Sequence, residues 1–429
     1  MHTNQVCEQS GTPRLDVATC PYQQLTVILM TPVVLCDSPE RHDNLLPLSF
    51  TRPIADFRVG ISTIAEKWRD ALGVDSNHYL APEYLRAKYP HPVDDTLALY
   101  VAGHILPDEN LVDAVKELKQ GEALMAGDVM AAFFGTLAQY RQGPTETVDY
   151  QGEIIAINFV FDIFLNNAKA LVDDFQKLTA GRESMPLSPT NTLIGSLTDA
   201  DGRPLLFIEE GASVEGATLN LTHGPIYIGR NAEVMEGACL RGPLAVCAGA
   251  HVNMGAKVYG ETTVGPFCKV GGELSNVVMF GYSNKSHDGY LGNAVIGEWC
   301  NIGAGVDSSN LKNDYSKIRI WNYATHSFMR TDLQFCGLIM GDHSKIGIGC
   351  TLNTATVMGV GVNLHGAGFP RTFIPSFSEG SPTGGFKEVP HKKFCDIADR
   401  VMSRRGIALT EADINIFDEV RKVASSFRG

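Results

Sequence analysis

Positive charge is scarce in this sequence. Lys and Arg number 35 against 48 Asp and Glu, a net charge of −13. That excludes a nucleic-acid partner, which needs a local excess of Lys and Arg. It leaves room for a small basic pocket. Ordered metal-binding spacing is also missing. The ten cysteines form no CxxC pair and no His/Cys cluster at zinc spacing, so no metal site is expected. Free, buried thiols in a reducing cytoplasm are expected instead. Long apolar runs are absent too. The run Leu25–Cys36 falls short of the about 20 residues that cross a bilayer. No basic segment precedes it and no small-residue cleavage site follows, so it reads as a buried first strand and not as a signal peptide. No membrane partner is expected. Finally, Cys36–Pro53 contains no glycine, which removes the usual backbone cradle for phosphates after a first strand.

What is present is length and order. A chain of 429 residues with 44% apolar and 19% charged residues implies a soluble globular protein of two or three domains. Residues 1–24 read as a tail. Residues 25–185 read as α/β, with strands at Val27–Cys36, Leu97–Val101, Glu122–Ala126 and Glu153–Ile157 and helices at Gly60–Leu72, Glu109–Gln120 and Ile163–Leu178. This alternation predicts a mostly parallel sheet. Gly181–Asn191 reads as a linker.

From about residue 205 a period of six takes over. Ile228, Val234, Leu240, Val246, Val252, Val258, Val264 and Val270 follow it without a slip. Small residues sit four places later at Ala232, Ala238, Ala250, Ala256, Thr262 and Cys268. Met340, Ile346, Leu352, Met358 and Leu364 resume the period. No α-helix has that repeat. Short flat strands joined by tight corners do, with the apolar residue inside a triangular prism and the small residue at a corner. The solenoid is placed at 186–385. The period breaks at Glu273–Asp288 and Asp307–Phe335, and both breaks read as loops gathering polar residues near His287. Residues 386–429 read as a helical cap, with helices at Lys392–Ser403 and Thr410–Phe427 and Thr410 as an N-cap.

The segment Thr263-Val-Gly-Pro-Phe-Cys-Lys-Val270, then His287-x-x-Tyr-Leu-Gly-Asn-Ala-x-Ile-Gly-x-x-x-Asn-Ile-Gly-Ala-Gly305, then Asn310, resembles the acetyltransferase half of the bifunctional N-acetylglucosamine-1-phosphate uridyltransferase / glucosamine-1-phosphate acetyltransferase family. The resemblance implies a nucleotidyltransferase-like α/β domain joined to a left-handed parallel β-helix of hexapeptide repeats. It also implies a homotrimer and acetyl-CoA as co-substrate between subunits. It makes His287 the general base and aligns Asn301 and Asn310 with catalytic asparagines. Tyr290 falls on the sugar-contacting position, and Gly303 and Ala304 on the backbone that meets the cofactor. The opening Leu46-Pro-Leu-Ser-Phe-Thr-Arg-Pro53 resembles that of a group of sugar nucleotidyltransferase-like proteins that carry such a solenoid.

The chemistry asks for these residue types. An amine must lose a proton before it attacks a thioester, and a histidine of near-neutral pKa can take it. Asn side chains and backbone N–H groups can face the developing oxyanion. The family's phosphate-binding Arg falls on Gly271, a family Lys on Ser275 and a family Tyr on Leu311. Lys269, Lys285, Lys312 and Lys317 are the candidates for substitute charge toward a substrate phosphate. Arg52 and Arg58 are candidate phosphate contacts, with pairing to Asp56 or a carbonyl as the structural alternative. The expected function is acetyl-CoA-dependent acyl transfer to an amino sugar or sugar phosphate. The alternatives are sugar-1-phosphate nucleotidyl transfer, which would bring in Mg²⁺, and a non-catalytic trimer that binds a nucleotide sugar.

Overall fold

The structure, a computed structural model, describes residues 31–91 and 96–428. The tail at 1–24 and the predicted start of the first strand at 27–30 lie outside the described residues. The strand continues as Val33–Cys36, wholly buried. It pairs in parallel with Asn77–Leu80 and with Ala98–Ala102. The sheet then turns mixed. Ala98–Ala102 is antiparallel to Val129–Gly135, and that strand is antiparallel to Glu122–Ala126. Glu146–Asp149 closes the far edge in parallel. The antiparallel pairs arise because Glu122–Ala126 and Val129–Gly135 are joined by a hairpin too short for a crossover. The predicted strand at Glu153–Ile157 is only Ile155–Ala156, paired off the sheet with Ile105–Leu106. The helix predicted from Gly60 begins at Ile64, because Thr63 and Glu66 form a capping box. Gly60 belongs to a turn at φ +84°, where a Cβ would lie 2.8 Å from the Ala170 carbonyl carbon.

Beyond the linker the chain winds as a parallel β-helix. Its three faces follow one another along each coil. Ile226–Ile228 lies on the first face, Glu233–Val234 on the second and Cys239–Arg241 on the third, and Leu244–Val246 then returns to the first. Every apolar residue of the two six-step runs is at most 2% exposed. Stacked in one prism they form a continuous core. At roughly 25 cal/mol per Å² of apolar surface, this burial is the main stabilising term.

One corner carries a column of left-handed backbone. Phe267, Tyr282, Trp299 and His343 sit at φ 57°, 54°, 60° and 58°. Non-glycine residues there cost roughly 1–2 kcal/mol each. Their rings stack, with centroids 5.2 Å, 4.3 Å and 6.2 Å apart. Aromatic pairs contribute about 0.5–1.5 kcal/mol beyond burial, which offsets much of that strain.

The two halves share one core. The helix Asp162–Thr179 lies between the sheet and the solenoid. Its Asn167 donates to Glu261 O and Thr263 Oγ1 and accepts from Gly60 N at 2.7 Å. Its Asp174 accepts from Ile61 N and Ser62 N and pairs with Lys67. The C-terminal helices His391–Ser403 and Glu411–Ala424 pack Phe394 and Phe417 edge-on against His343. Lys88 of the first half pairs with Asp413 at 3.0 Å. Among the described residues no helix is long and apolar enough to cross a membrane.

Candidate functional site

The two breaks in the period have opposite structures. Glu273–Asp288 is not a loop. Val252 and its register partner Val270 are 18 residues apart, whereas Val270 and its partner Lys285 are 15 apart. The strand Glu273–Gly281 runs round a corner unbroken, with Asn276 at φ 52°. Tyr290–Glu298 repeats this with Asn293 at φ 46°. Asn reaches this region more readily than other non-glycine residues. Asp307–Phe335 is a true insertion. It carries the hairpin Arg319–Asn322/Ser327–Arg330. The hairpin packs Ile320 and Tyr323 into the core shared with the N-terminal half.

The register fixes where His287 sits. His251, Lys269, Asn284, Asn301 and Lys345 are successive rungs of the second face. Three residues past each rung, Met254, Gly272, His287, Ala304 and Ile348 therefore form one corner column. His287 and Ala304 occupy adjacent coils, about 4.8 Å apart along the solenoid. Backbone bonds from Gly305 N to Asp288 O and from Gly349 N to Ala304 O, 2.9 and 2.8 Å, hold the column. His287 is exposed, and its ring has no hydrogen-bonding partner among the described residues. Its main chain is tightly held. A Cβ on Gly271 would lie 2.3 Å from Ser286 O and 3.4 Å from His287 N. Gly271 therefore has no room for an arginine side chain, and the departure from the family's pattern is a packing requirement of this coil. Gly303 is likewise closed, with Ile348 N 2.7 Å from its would-be Cβ.

Tyr290 and Asn310 do come together. Asn310 Nδ2 donates to Tyr290 Oη at 3.0 Å and to Asn293 Oδ1 at 2.7 Å. Tyr290 N donates to Asp307 Oδ1 at 2.7 Å. Burial, reinforced by Glu273, raises the Tyr290 phenol above its usual range, so the hydroxyl keeps its proton. Asn293 and Asp307 were missed in the sequence. The signal for Asn293 was an Asn amid apolar residues at a corner position, which favours left-handed backbone. Asn301 stands apart, exposed on the second face beside Asn284 and Lys345. Lys269 is two rungs from it on the same face. Lys312 lies on the insertion, paired with Asp314 at 3.5 Å and bonded to Ser316.

Three expectations need correction. Lys285 does not face a ligand. It fills the inward position where the ladder has Val270 and Ile302 and is 1% exposed. Its ammonium donates to Gly271 O at 3.2 Å and His287 O at 2.7 Å. Burial lowers its pKa to about 8. Arg52 is not free for phosphate. It pairs with Asp342, with Glu298 at 3.2 Å and with Asp56 at 3.6 Å, above the Phe280 ring. Buried charges persist when paired in this way. Arg58 donates to Phe280 O at 3.0 Å and to Ile61 O. Both arginines bind the halves together.

In the N-terminal half, a cavity of about 230 Å³ opens at the ends of Val33–Cys36 and Ala98–Ala102, lined by Ser38, Arg41, His104, Asp128 and Tyr140. The glycine-free segment folds as the helix Pro39–Asn44, capped by Ser38. Asp37 pins it by accepting from Ile54 N and facing His42. His104 is 4% exposed. Burial and nearby Arg41 lower its pKa to about 4, so it is neutral at pH 7. Among the described residues no three His, Cys, Asp or Glu side chains cluster to hold a metal.

Comparison with known proteins adds to this geometry. Residues 33–183 match the family described as sugar nucleotidyl transferase. Over 86 residues the chain is 31% identical to the bifunctional protein GlmU of Rippkaea orientalis and 33% identical to that of Trichodesmium erythraeum. Each match covers 20% of this chain and 18% of the relative's length. Among solved structures, AntD, an N-acyltransferase from Bacillus cereus in complex with dTDP and 3-hydroxybutyryl-CoA, aligns with 46% of this chain and 89% of its own at 12% identity and a TM-score of 0.22. A Francisella novicida UDP-N-acetylglucosamine acyltransferase aligns with 52% and 88% at 13% identity and a TM-score of 0.19. The stretch that matches the sugar nucleotidyl transferase family, 33–183, is thus joined to a parallel β-helix, and the chain spans about a fifth of the length of the curated GlmU relatives it matches.

Proposed function

We propose that the solenoid transfers an acyl group from acyl-CoA, acetyl-CoA in the first instance, to an amino sugar or sugar phosphate, with His287 as the general base. The observation that carries this reading is the stacking of His287 on Ala304 at one corner, together with the bonded pair Tyr290 and Asn310 on the adjoining face. His287 accepts the proton that the acceptor's amine or hydroxyl gives up as it attacks the thioester carbonyl. The carbon–sulfur bond then breaks and the thiol leaves with a proton. Tyr290 and Asn310 orient the acceptor. An exposed base suits this chemistry only when covered, since water competes for the acyl group. A second protomer laid on the corner would supply that cover and could bring the remote Asn301 to the reaction, in keeping with a homotrimer. Ala304 is a small step beside Ile348, which is 78% exposed, and such an edge suits an apolar thioester arm.

The test is release of CoA from acetyl-CoA across a panel of amino sugars and their phosphates. His287→Ala is expected to lower the rate by about 10²–10⁴-fold, the usual contribution of general base catalysis. An equal rate in wild type and variant would remove His287 from the reaction. A second reading, sugar-1-phosphate nucleotidyl transfer, is favoured by the family match over 33–183. Pyrophosphate release from a nucleoside triphosphate plus a sugar phosphate checks it.

A further inference from the structure

We propose that the trough between the second solenoid face and the C-terminal helix His391–Ser403 binds the diphosphate group of a small ligand. The trough encloses about 530 Å³, within the range of small-molecule sites. Its charged lining is wholly cationic. Lys269 and Lys345 come from the solenoid, and Arg404 and Arg405 from the end of the helix. Among the described residues no Asp or Glu lines it, in a chain whose net charge is −13. Four cations facing one cavity repel one another unless an anion joins them.

Two of the four are already held. Lys345 donates to Trp299 O and His343 O, both at 2.8 Å, and Arg405 donates to Asn284 Oδ1 at 3.2 Å. Lys269 and Arg404 have no acceptor for their side chains among the described residues. They are the free donors. The amides of Asn284 and Asn301 follow Lys269 as rungs of the same face and line the same trough. One wall is the stacked pair Tyr282 and Trp299. Both faces of each ring are covered by neighbours in the column, so a ligand meets ring edges and cannot stack. Recognition therefore falls on the anion. Arginine forks grip phosphate oxygens in pairs, and lysines add point charges. The same chemistry is offered by a nucleotide sugar and by coenzyme A. The site does not rest on acyl transfer.

Calorimetry on the full chain at low ionic strength decides it, with three probes: inorganic pyrophosphate, UDP-N-acetylglucosamine and CoA. Pyrophosphate and at least one of the larger probes are expected to bind. The double variant Lys269→Glu/Arg404→Glu is expected to weaken that binding by at least about 10-fold. Lys257→Glu, an exposed lysine of the third face, serves as the control and is expected to leave it unchanged. The larger probe that binds identifies the source of the diphosphate. Arg404→Ala alone replaces the double variant if the latter fails to fold. Binding of none of the three, or binding unaltered by loss of Lys269 and Arg404, overturns the proposal. His287→Ala is expected to keep full binding, so failure of the acyl-transfer reading leaves this one testable.

Discussion

The two interruptions of the six-residue period look alike on paper and differ in kind. At Glu273–Asp288 the coil contracts, and the chain saves three residues by turning corners on Asn276 and its neighbours. At Asp307–Phe335 the coil opens and lets out a hairpin. The contraction sets His287 on a corner and drives Lys285 into the prism. The insertion joins the halves through Tyr323, whose ring meets Phe50 at 5.5 Å and Phe427 at 4.8 Å. A broken repeat thus marks a place where the solenoid does something other than repeat, without saying whether the chain has been shortened or lengthened. Only the first break shapes the candidate site directly. From the second, Asp307 and Asn310 reach it, both through Tyr290.

Substitutions can break this contrast. The largest effect is expected at Gly271→Arg in the contracted coil. Its Cβ would meet Ser286 O at 2.3 Å, backbone that cannot yield, so the loss should exceed about 4 kcal/mol. A well-folded variant with an unchanged unfolding midpoint would show that the contraction is slack. Tyr323→Ala in the insertion comes next. The side chain is 2% exposed, and truncating a buried aromatic ring costs about 3–5 kcal/mol. Denaturant unfolding should show that loss while the solenoid's β-rich circular dichroism is retained.

Lys285→Met is the mildest and sharpens the comparison. With its folded pKa lowered to about 8 from 10.5, Lys285 binds fewer protons in the folded state than in the unfolded state between those values. Its cost is therefore full below pH 8 and is relieved as pH rises toward 10.5. The variant should be within about 1 kcal/mol of wild type at pH 7, or more stable, and its stability should rise less across that window. Acyl transfer should fall, because the carbonyl of His287 loses its clamp. A loss above about 2 kcal/mol at pH 7 would mean that the two bonds to Gly271 and His287 outweigh burial of the charge.

Much of the solenoid was legible because its physics is local. A residue every six steps must be apolar to fill the prism, and Val234 to Val270 and Met340 to Leu364 obey that in the structure without exception. The helix Glu411–Ala424 was legible for a similar reason, since Thr410 and Asp413 form its capping box within one turn. The motif named Tyr290 and Asn310 separately, and their hydrogen bond emerged only in the structure. The fates of Arg52 and Lys285 were not legible either. Nothing near Arg52 in the chain announces Asp342, 290 residues away. Lys285 reads as a surface charge until the trimmed corners shift the register and turn it inward.

The order of residues by itself determined the prism, its period and the identity of the polar side chains that interrupt it, since burial and corner geometry act over a few residues. The tertiary structure alone decided which of those side chains meet. Register across coils, and the packing of the N-terminal half and the cap helices against them, are long-range contacts that no local pattern encodes.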